Sequence, residues 1–306
     1  MIYRRVTQFA LCILLLLLLA LPALALRAQE TPESALQPEV EHLLPAVATA
    51  PETLRVASFN VHYAHDLPAL AASVRANHAL RQADVLLLQE IESHQSEGSS
   101  RARQLAAALE MNYVYAPARP TEDGGTHGLA VLSRFPLDDA EIVPLPRYDL
   151  GYRTRRRIAL GVTVGVGGRP LRVYNVHLDT RINIQDRLAQ LQPVVEAAER
   201  QVLAEVIIGG DFNTNPFRWL FHRFPIFRSD QAGAMDDFMR QRGFSAPLAE
   251  SGSTVNRAVL RGRVDSLYAR GLTAQNSGVE RDVDSSDHFP VWVDLAWPPA
   301  ATAKKE

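Results

Sequence analysis

The chain has 306 residues, of which 47% are hydrophobic and 22% charged, with a formal net charge of −2. That length and composition suit one large globular domain with a full core, and they exclude a disordered or fibrous chain. The slightly acidic balance excludes a module held to nucleic acid by a global basic field, and the single cysteine, Cys12, excludes a disulfide framework.

The N-terminal 25 residues read as a targeting segment. Arg4 and Arg5 precede an apolar run from Phe9 to Leu21, and Ala23-Leu24-Ala25 supplies a small-x-small site. This is the pattern of a cleaved secretory signal peptide. An uncleaved anchor is the rival, because the apolar stretch to Leu26 approaches the length that crosses a bilayer. Either way the protein is expected outside the cytoplasm, periplasmic or secreted, or held at a membrane. Residues 26–53 are rich in Ala, Pro and Glu and read as a linker with a short helix near Ser34–Leu44. The domain is expected over residues 54–297, and 298–306 as a flexible tail.

Within the domain, strand and helix patterns mix. Leu54–Val61 reads as a strand, Leu67–Gln82 as a helix, and the apolar run Asp84–Glu90 as a buried strand. Arg101–Glu110 is helical; Tyr113–Pro117 and Gly128–Ser133 are strands. Ile158–Val166 and Leu171–Leu178 read as a hairpin turned by Gly167-Gly168. A long amphipathic helix follows over Ile184–Leu203, then a strand over Glu205–Gly210, a helix over Ala234–Arg242, and strands over Val264–Ala269 and Phe289–Leu295. Many strands with few helices predict an α/β fold of two packed sheets with helices outside. Polar residues recur just past the strand ends, at Asn60, Glu90, His177, Asp211 and Asp287. Strand ends meeting at a crevice are where sites are commonly built.

Singly, each of these residues is weak evidence; the set and its order carry the signal. Ser58-Phe59-Asn60-Val61, Leu88-Gln89-Glu90, Gly128 to Pro136, Tyr174-Asn175-Val176-His177-Leu178, Gly209-Gly210-Asp211-Phe212-Asn213, Arg263 to Leu267, and Ser286-Asp287-His288-Phe289-Pro290-Val291 follow one another. This order resembles the endonuclease/exonuclease/phosphatase superfamily, whose members include pancreatic-type deoxyribonuclease, abasic-site endonuclease, bacterial sphingomyelinase and inositol-phosphate 5-phosphatases. The resemblance runs from about Leu54 to Leu295.

The resemblance implies a four-layer sandwich, two mixed β-sheets packed face to face and flanked by helices. It implies Glu90 as the main metal ligand, with Asn60 and Asp287 in support. Asp211 and Asn213 match the pair that activates and orients the attacking water, His288 the phosphate-contacting imidazole, Asp265 its orienting carboxylate, and His177 a position held by His or Tyr. Arg156 or Arg157 matches a phosphate-contacting arginine, within the cluster of Arg153, Arg155, Arg156 and Arg157. His127 stands where many relatives carry Asn or Tyr; it is either a substrate contact or a residue of the rim. The implied cofactor is Mg²⁺, with Mn²⁺ or Ca²⁺ as substitutes.

The chemistry independently wants these residue types. A phosphate ester is anionic and repels nucleophiles, a hard cation with oxygen ligands offsets that charge, a carboxylate takes a proton from water, and a histidine steadied by a buried aspartate stabilises charge growing on the phosphoryl oxygens. The function expected is an exported, metal-dependent phosphoesterase acting as a monomer on nucleic acid, a phospholipid or an inositol phosphate. The alternative is a catalytically inactive member that binds a phosphate-bearing ligand. Phe217–Arg228 interleaves aromatic and basic residues next to Asn213. It reads either as a core-packing insertion or as a contact loop that stacks on bases or dips into a membrane.

Overall fold

The computed structural model describes residues 36–45, 49–256 and 261–299. Contacts divide the chain between Leu36 and Gln37, and the fold concerns the second unit, Gln37–Glu306. The targeting segment 1–25 lies outside the described residues, as does the tail from residue 300. Among the described residues no helix is long and apolar enough to cross a membrane.

One sheet has seven strands in the order β1 (Glu39–Glu41), β4 (Asn112–Pro120), β5 (Thr126–Ser133), β3 (Val85–Ser93), β2 (Thr53–Tyr63), β14 (Val291–Ala296) and β13 (Thr273–Val279). The other has five, in the order β12 (Asp265–Arg270), β9 (Val206–Asp211), β8 (Arg169–His177), β7 (Ile158–Val166) and β6 (Leu137–Pro144). Both are mixed: β2 and β3 run parallel, as do β8 and β9, amid antiparallel neighbours.

Strand periodicity sorts the apolar residues into layers. In β3, Val85 and Leu87 point between the sheets, where they meet Ile158, Leu160, Val173, Ile207 and Leu267. Leu86 and Leu88 point the other way, against Leu70, Val74 and Leu105 of the helices α1 (Leu67–Ala76) and α3 (Arg101–Leu109). On the far side Val176 and Ile208 pack under Leu191, Val194 and Met239, from α4 (Ile184–Arg200) and α5 (Gln231–Arg240). Burial on both faces is why these strands read as unbroken apolar runs. The result is the expected four layers.

Local chemistry sets the boundaries. The expected helix Leu67–Gln82 is broken at Asn77, which ends α1 and whose side chain accepts from Leu80 N at 3.0 Å to start the short α2 (His78–Arg81). Asp230 caps α5 by accepting from Gly233 N at 2.8 Å, so that helix begins at Gln231, ahead of the expected Ala234. Gly167 and Gly168, at φ +55° and +83°, turn β7 into β8 as the Gly-Gly pair predicts.

Three expectations are corrected. In the described part of the linker helix expected near Ser34–Leu44, from residue 36 on, the chain instead forms β1, which pairs with β4 through Glu39↔Tyr115 and Glu41↔Tyr113. An edge pairing is a contact with residues far along the chain, so helical spacing carries no trace of it. Strands β6 and β13 had no counterpart in the sequence reading. The segment Phe217–Arg228 is not core packing: it is a separate two-stranded hairpin, β10 (Phe217–Leu220) with β11 (Phe224–Arg228), and β11 is exposed throughout.

Candidate active site

The site lies where the adjacent ends of both sheets meet. Asp211 ends β9, with His177 of β8 and Asp265 of β12 as its register neighbours on either side. Gly210 makes this crowding feasible: its φ is +139°, and a Cβ there would meet Val176 O at 2.1 Å. From the opposite sheet come Asn60 near the end of β2 and Glu90 in β3.

Glu90 sits at a break in register against both β2 and β5, and its φ is +58°. A bulge re-aims one side chain out of the pleat. A left-handed non-glycine residue within a strand is a strain that persists only where surrounding structure imposes it. Register also shifts beyond Asn60, and His62, Tyr63 and Ala64 follow with φ of +45°, +71° and +51°. The two strands that deliver Asn60 and Glu90 therefore both leave regular geometry at the site.

These side chains converge. Asn60 Nδ2 donates to Asp211 Oδ2 at 3.0 Å and to Glu90 Oε1 at 3.3 Å. Asn60 Oδ1 instead accepts from His62 N at 3.1 Å, so this amide separates two carboxylates by turning its nitrogen toward them. His177 Nε2 lies 3.5 Å from Asp211 Oδ2 and 3.8 Å from Glu90 Oε1. His288 Nδ1 meets Asp265 at 2.9 Å, while its Nε2 is 3.9 Å from Asp211 Oδ2. Asn213, at φ +52°, donates its N–H to Asp211 Oδ1 at 2.8 Å and its Nδ2 to Leu178 O at 2.9 Å.

The other expected residues are placed as follows. Asp287 lies beside His62, its Oδ1 3.7 Å from His62 Nδ1. Arg157 Nε donates to the buried carboxylate of Asp179 at 3.0 Å, and Arg156 Nη1 to Ala118 O at 2.8 Å. From the arginine cluster it is Arg153 that lines the cavity, together with Glu90, Asp211, Asn213 and His288. His127 is buried in β5 with its ring against the edge of Tyr63, not on the rim.

Burial and neighbouring charge divide the titratable groups into distinct states. Burial, with Asp265 adding to it, pushes Asp211 up to about 6 against the opposing pull of His288. Burial works against charge on His288, but Asp265 and Asp211 outweigh it and raise the imidazole to about 9. Burial, reinforced by Arg157, holds His177 well below the ordinary histidine range. At neutral pH the site thus holds an imidazolium at His288, a neutral imidazole at His177 and an ionised Asp211 poised to accept a proton.

Asp211, Asp265 and His288 offer atoms within 4.8 Å of one another, close enough to hold a metal ion. However, both carboxylate oxygens of Asp265 already face His288 Nδ1, at 2.9 and 3.2 Å; a cation among these three would displace that pair. The better fit for a hard cation is the opposite side of Asp211, toward the strained Glu90. There the donors are the carboxylate oxygens of Glu90 and Asp211.

Several supporting residues escaped the sequence reading. Ser286 Oγ donates to Asn60 O at 2.7 Å and accepts from His288 N at 3.1 Å, tying the two ends of the domain together. Beneath the site Asn175 Oδ1 accepts from Gln89 Nε2 at 2.7 Å, while its Nδ2 donates to Leu88 O and Ala130 O, bridging the sheets. Polar residues embedded in apolar strands were the available signal. Arg187 is fully buried; it donates to the carbonyl oxygens of Asp179, Ile182 and Phe212 and so joins the loops beyond β8 and β9. Thr180, Arg181, Asn215, Phe217, Trp219, Val255 and Val264 complete the cavity wall.

Comparison with known proteins places this arrangement in context. The model of the Endonuclease/Exonuclease/phosphatase family matches residues 57–288. A search of curated proteins found no match. Among solved structures, an endonuclease/exonuclease/phosphatase from Beutenbergia cavernae is similar at a TM-score of 0.62 and 22% identity, over 81% of this chain and 72% of that one. A mannosyl-6-phosphatase from Bacteroides thetaiotaomicron is similar at 0.55 and 18%, over 80% of this chain and 100% of that one. The human Nocturnin catalytic domain with bound sulfate is similar at 0.57 and 17%, over 89% and 100%. At these identities the solved structures establish the fold.

Proposed function

The chain belongs to the Endonuclease/Exonuclease/phosphatase family, and on that premise we propose that it is an exported, divalent-metal-dependent phosphoesterase that hydrolyses its substrate by in-line attack of water. The observation that carries this reading is the convergence of Glu90, Asp211 and His288, the last backed by Asp265, on one cavity. The carboxylate oxygens suit Mg²⁺, with Mn²⁺ or Ca²⁺ as substitutes; Glu90 would hold it, with Asp211 adjacent and Asp287 in support, while Asn60 Nδ2 would steady the two carboxylates. When bound, the cation offsets charge on the phosphate oxygens.

The remaining steps belong to the protein's own groups. Asp211, ionised above about pH 6, takes a proton from the attacking water. Asn213 N–H holds Asp211 Oδ1 and Asn60 Nδ2 donates to Oδ2, which together fix the orientation of the carboxylate. The water oxygen forms the new P–O bond as the bond to the leaving oxygen breaks on the opposite side; that oxygen takes a proton from solvent and leaves as the alcohol, and Asp211 returns its proton to solvent. His288 donates from Nε2 to a phosphoryl oxygen and stabilises charge that grows in the transition state. Asp265 fixes the ring and keeps it cationic.

The test is a turnover panel with the purified protein: plasmid DNA, RNA, phosphatidyl lipids, sphingomyelin, inositol phosphates and a small chromogenic phosphodiester, with Mg²⁺ and with chelator. Mg²⁺-dependent release of product from one class is expected. Phosphate-ester binding without turnover of any of them would overturn the proposal in favour of a non-catalytic binding protein.

A further inference from the structure

Seven large apolar side chains are exposed among the described residues, and five of them, Leu220, Phe221, Phe224, Ile226 and Phe227, lie on the β10–β11 hairpin. Phe221, Phe224 and Phe227 are 78%, 61% and 67% exposed. Isolated exposed apolar residues are ordinary, but a contiguous cluster marks a surface that meets something. The turn adds a second anomaly. Phe221 and His222 both adopt the left-handed region, at φ +51° and +56°. Paired left-handed residues close a tight hairpin turn, and a bulky aromatic residue is uncommon at such a position.

The hairpin is firmly held at its base. Trp219 N–H donates to Asn183 Oδ1 at 2.8 Å, Asn183 Nδ2 donates to Trp219 O at 3.0 Å, and the Trp219 indole donates to Asn215 Oδ1 at 3.0 Å. Gln231 Nε2 donates to Phe217 O at 2.6 Å. Strand alternation then gives the hairpin two faces. Phe217 and Trp219 turn inward to wall the catalytic cavity, while Arg218 and Leu220 turn out. Arg218, Arg223 and Arg228 are all exposed, and no acidic residue occurs between Phe212 and Ser229. On a chain of net charge −2, this hairpin is a local patch of apolar side chains ringed by cations.

We propose that the hairpin Phe217–Arg228 docks the protein on an anionic phospholipid bilayer, and that the phosphate ester it delivers to the cavity behind Trp219 is a lipid headgroup. Phenyl rings and aliphatic chains bury themselves at the acyl boundary, while arginines meet the headgroup phosphates. The composition favours a bilayer over nucleic acid. Leu220, Pro225 and Ile226 have no flat π-face for a base to stack on, and the one indole of the hairpin faces the cavity. The headgroup half of the proposal rests on the phosphoesterase reading; the docking half does not.

The experiment labels the tip itself, so that membrane binding by the N-terminal segment cannot imitate it. In a Cys12→Ser background, which removes the only native cysteine, Phe221→Cys carries an environment-sensitive fluorophore. Val202→Cys, at a fully exposed residue on another part of the domain, is the control. Vesicles of phosphatidylcholine with phosphatidylglycerol should blue-shift the label at 221 and leave the label at 202 unchanged, and brominated lipid should quench only the former. The shift should persist in chelator. Arg218→Ala with Arg223→Ala and Arg228→Ala should weaken the response to these vesicles by about tenfold or more, at roughly a factor of five per arginine brought to the surface. An unshifted label at 221, or equal shifts at both positions, would overturn docking, as would a response to single-stranded DNA but not to vesicles. For the headgroup half, Phe221→Ser with Phe224→Ser should lower release of headgroup product from vesicles by about tenfold while sparing a soluble chromogenic diester. Turnover of the soluble diester with none of the vesicle lipid would overturn that half alone; failure on both substrates with docking intact would instead count against the phosphoesterase reading.

Discussion

Both carboxylate oxygens of Asp265 face Nδ1 of His288, at 2.9 and 3.2 Å, and both residues are buried. The pair keeps a histidine cationic at a depth that by itself would discharge it. If activity needs ionised Asp211 and protonated His288, kcat/KM should rise through about pH 6 and fall through about pH 9. In Asp265→Asn the carboxylate that favours the imidazolium is gone, so the His288 pKa drops and the alkaline limb moves to lower pH. A loss of about tenfold or more is expected at pH 8, from the usual contribution of a proton-donating group. A pH–rate profile at fixed Mg²⁺ checks it; an unmoved alkaline limb would remove His288 from the proposed role.

Glu90 shares Asn60 Nδ2 with Asp211. Glu90→Gln removes one of these crowded negative charges, so the metal-free protein should be no less stable than wild type. Cation binding should suffer instead. For wild type, Mg²⁺ at about 100 times its Kd stabilises by about 2.7 kcal/mol; the variant should lose most of that increment and most of its turnover. Thermal melts with and without Mg²⁺ separate this outcome from misfolding.

Arg187 donates to three main-chain carbonyl oxygens and to Gln231 Oε1 at 3.2 Å, all in the interior. Arg187→Met keeps much of the volume but leaves those acceptors without their donor. A destabilisation of about 3–5 kcal/mol is expected, because several buried acceptors lose their donor at about 1–3 kcal/mol each, partly offset by no longer burying a cation. Urea unfolding measures it. Because Phe212 O is one of the acceptors, the loop carrying Asn213 should also loosen, and turnover should fall even under conditions where the variant remains folded.

Export rests on Arg4, Arg5, the apolar run Phe9–Leu21 and the Ala23-Leu24-Ala25 site. A reporter fused after Glu30 should be recovered outside the cytoplasm or with the membrane fraction. A soluble cytoplasmic reporter would rule the assignment out.

What was legible in the sequence was what local pattern determines. Period-two alternation and unbroken apolar runs marked β2, β3, β7, β8 and β9, because strands buried on both faces must be apolar on both. The polar residues past their ends, taken with the order of the motifs and the resemblance it carries, made Asn60, Glu90, His177 and Asp211 candidates, and the fold brings the four together. Tertiary structure decided the rest. That Glu90 leaves the pleat at a bulge, and that Asn60 turns its nitrogen to the carboxylates, depends on the partner strands. The opposite titration of His177 and His288 depends on which of two buried histidines has a carboxylate against it. Strand β1 was missed because it is three residues long and made by pairing with an edge. The aromatic residues of Phe217–Arg228 have a composition that serves equally well in a core. Only the finished packing, with the space between the sheets already filled by other side chains, leaves Phe221, Phe224 and Phe227 facing water.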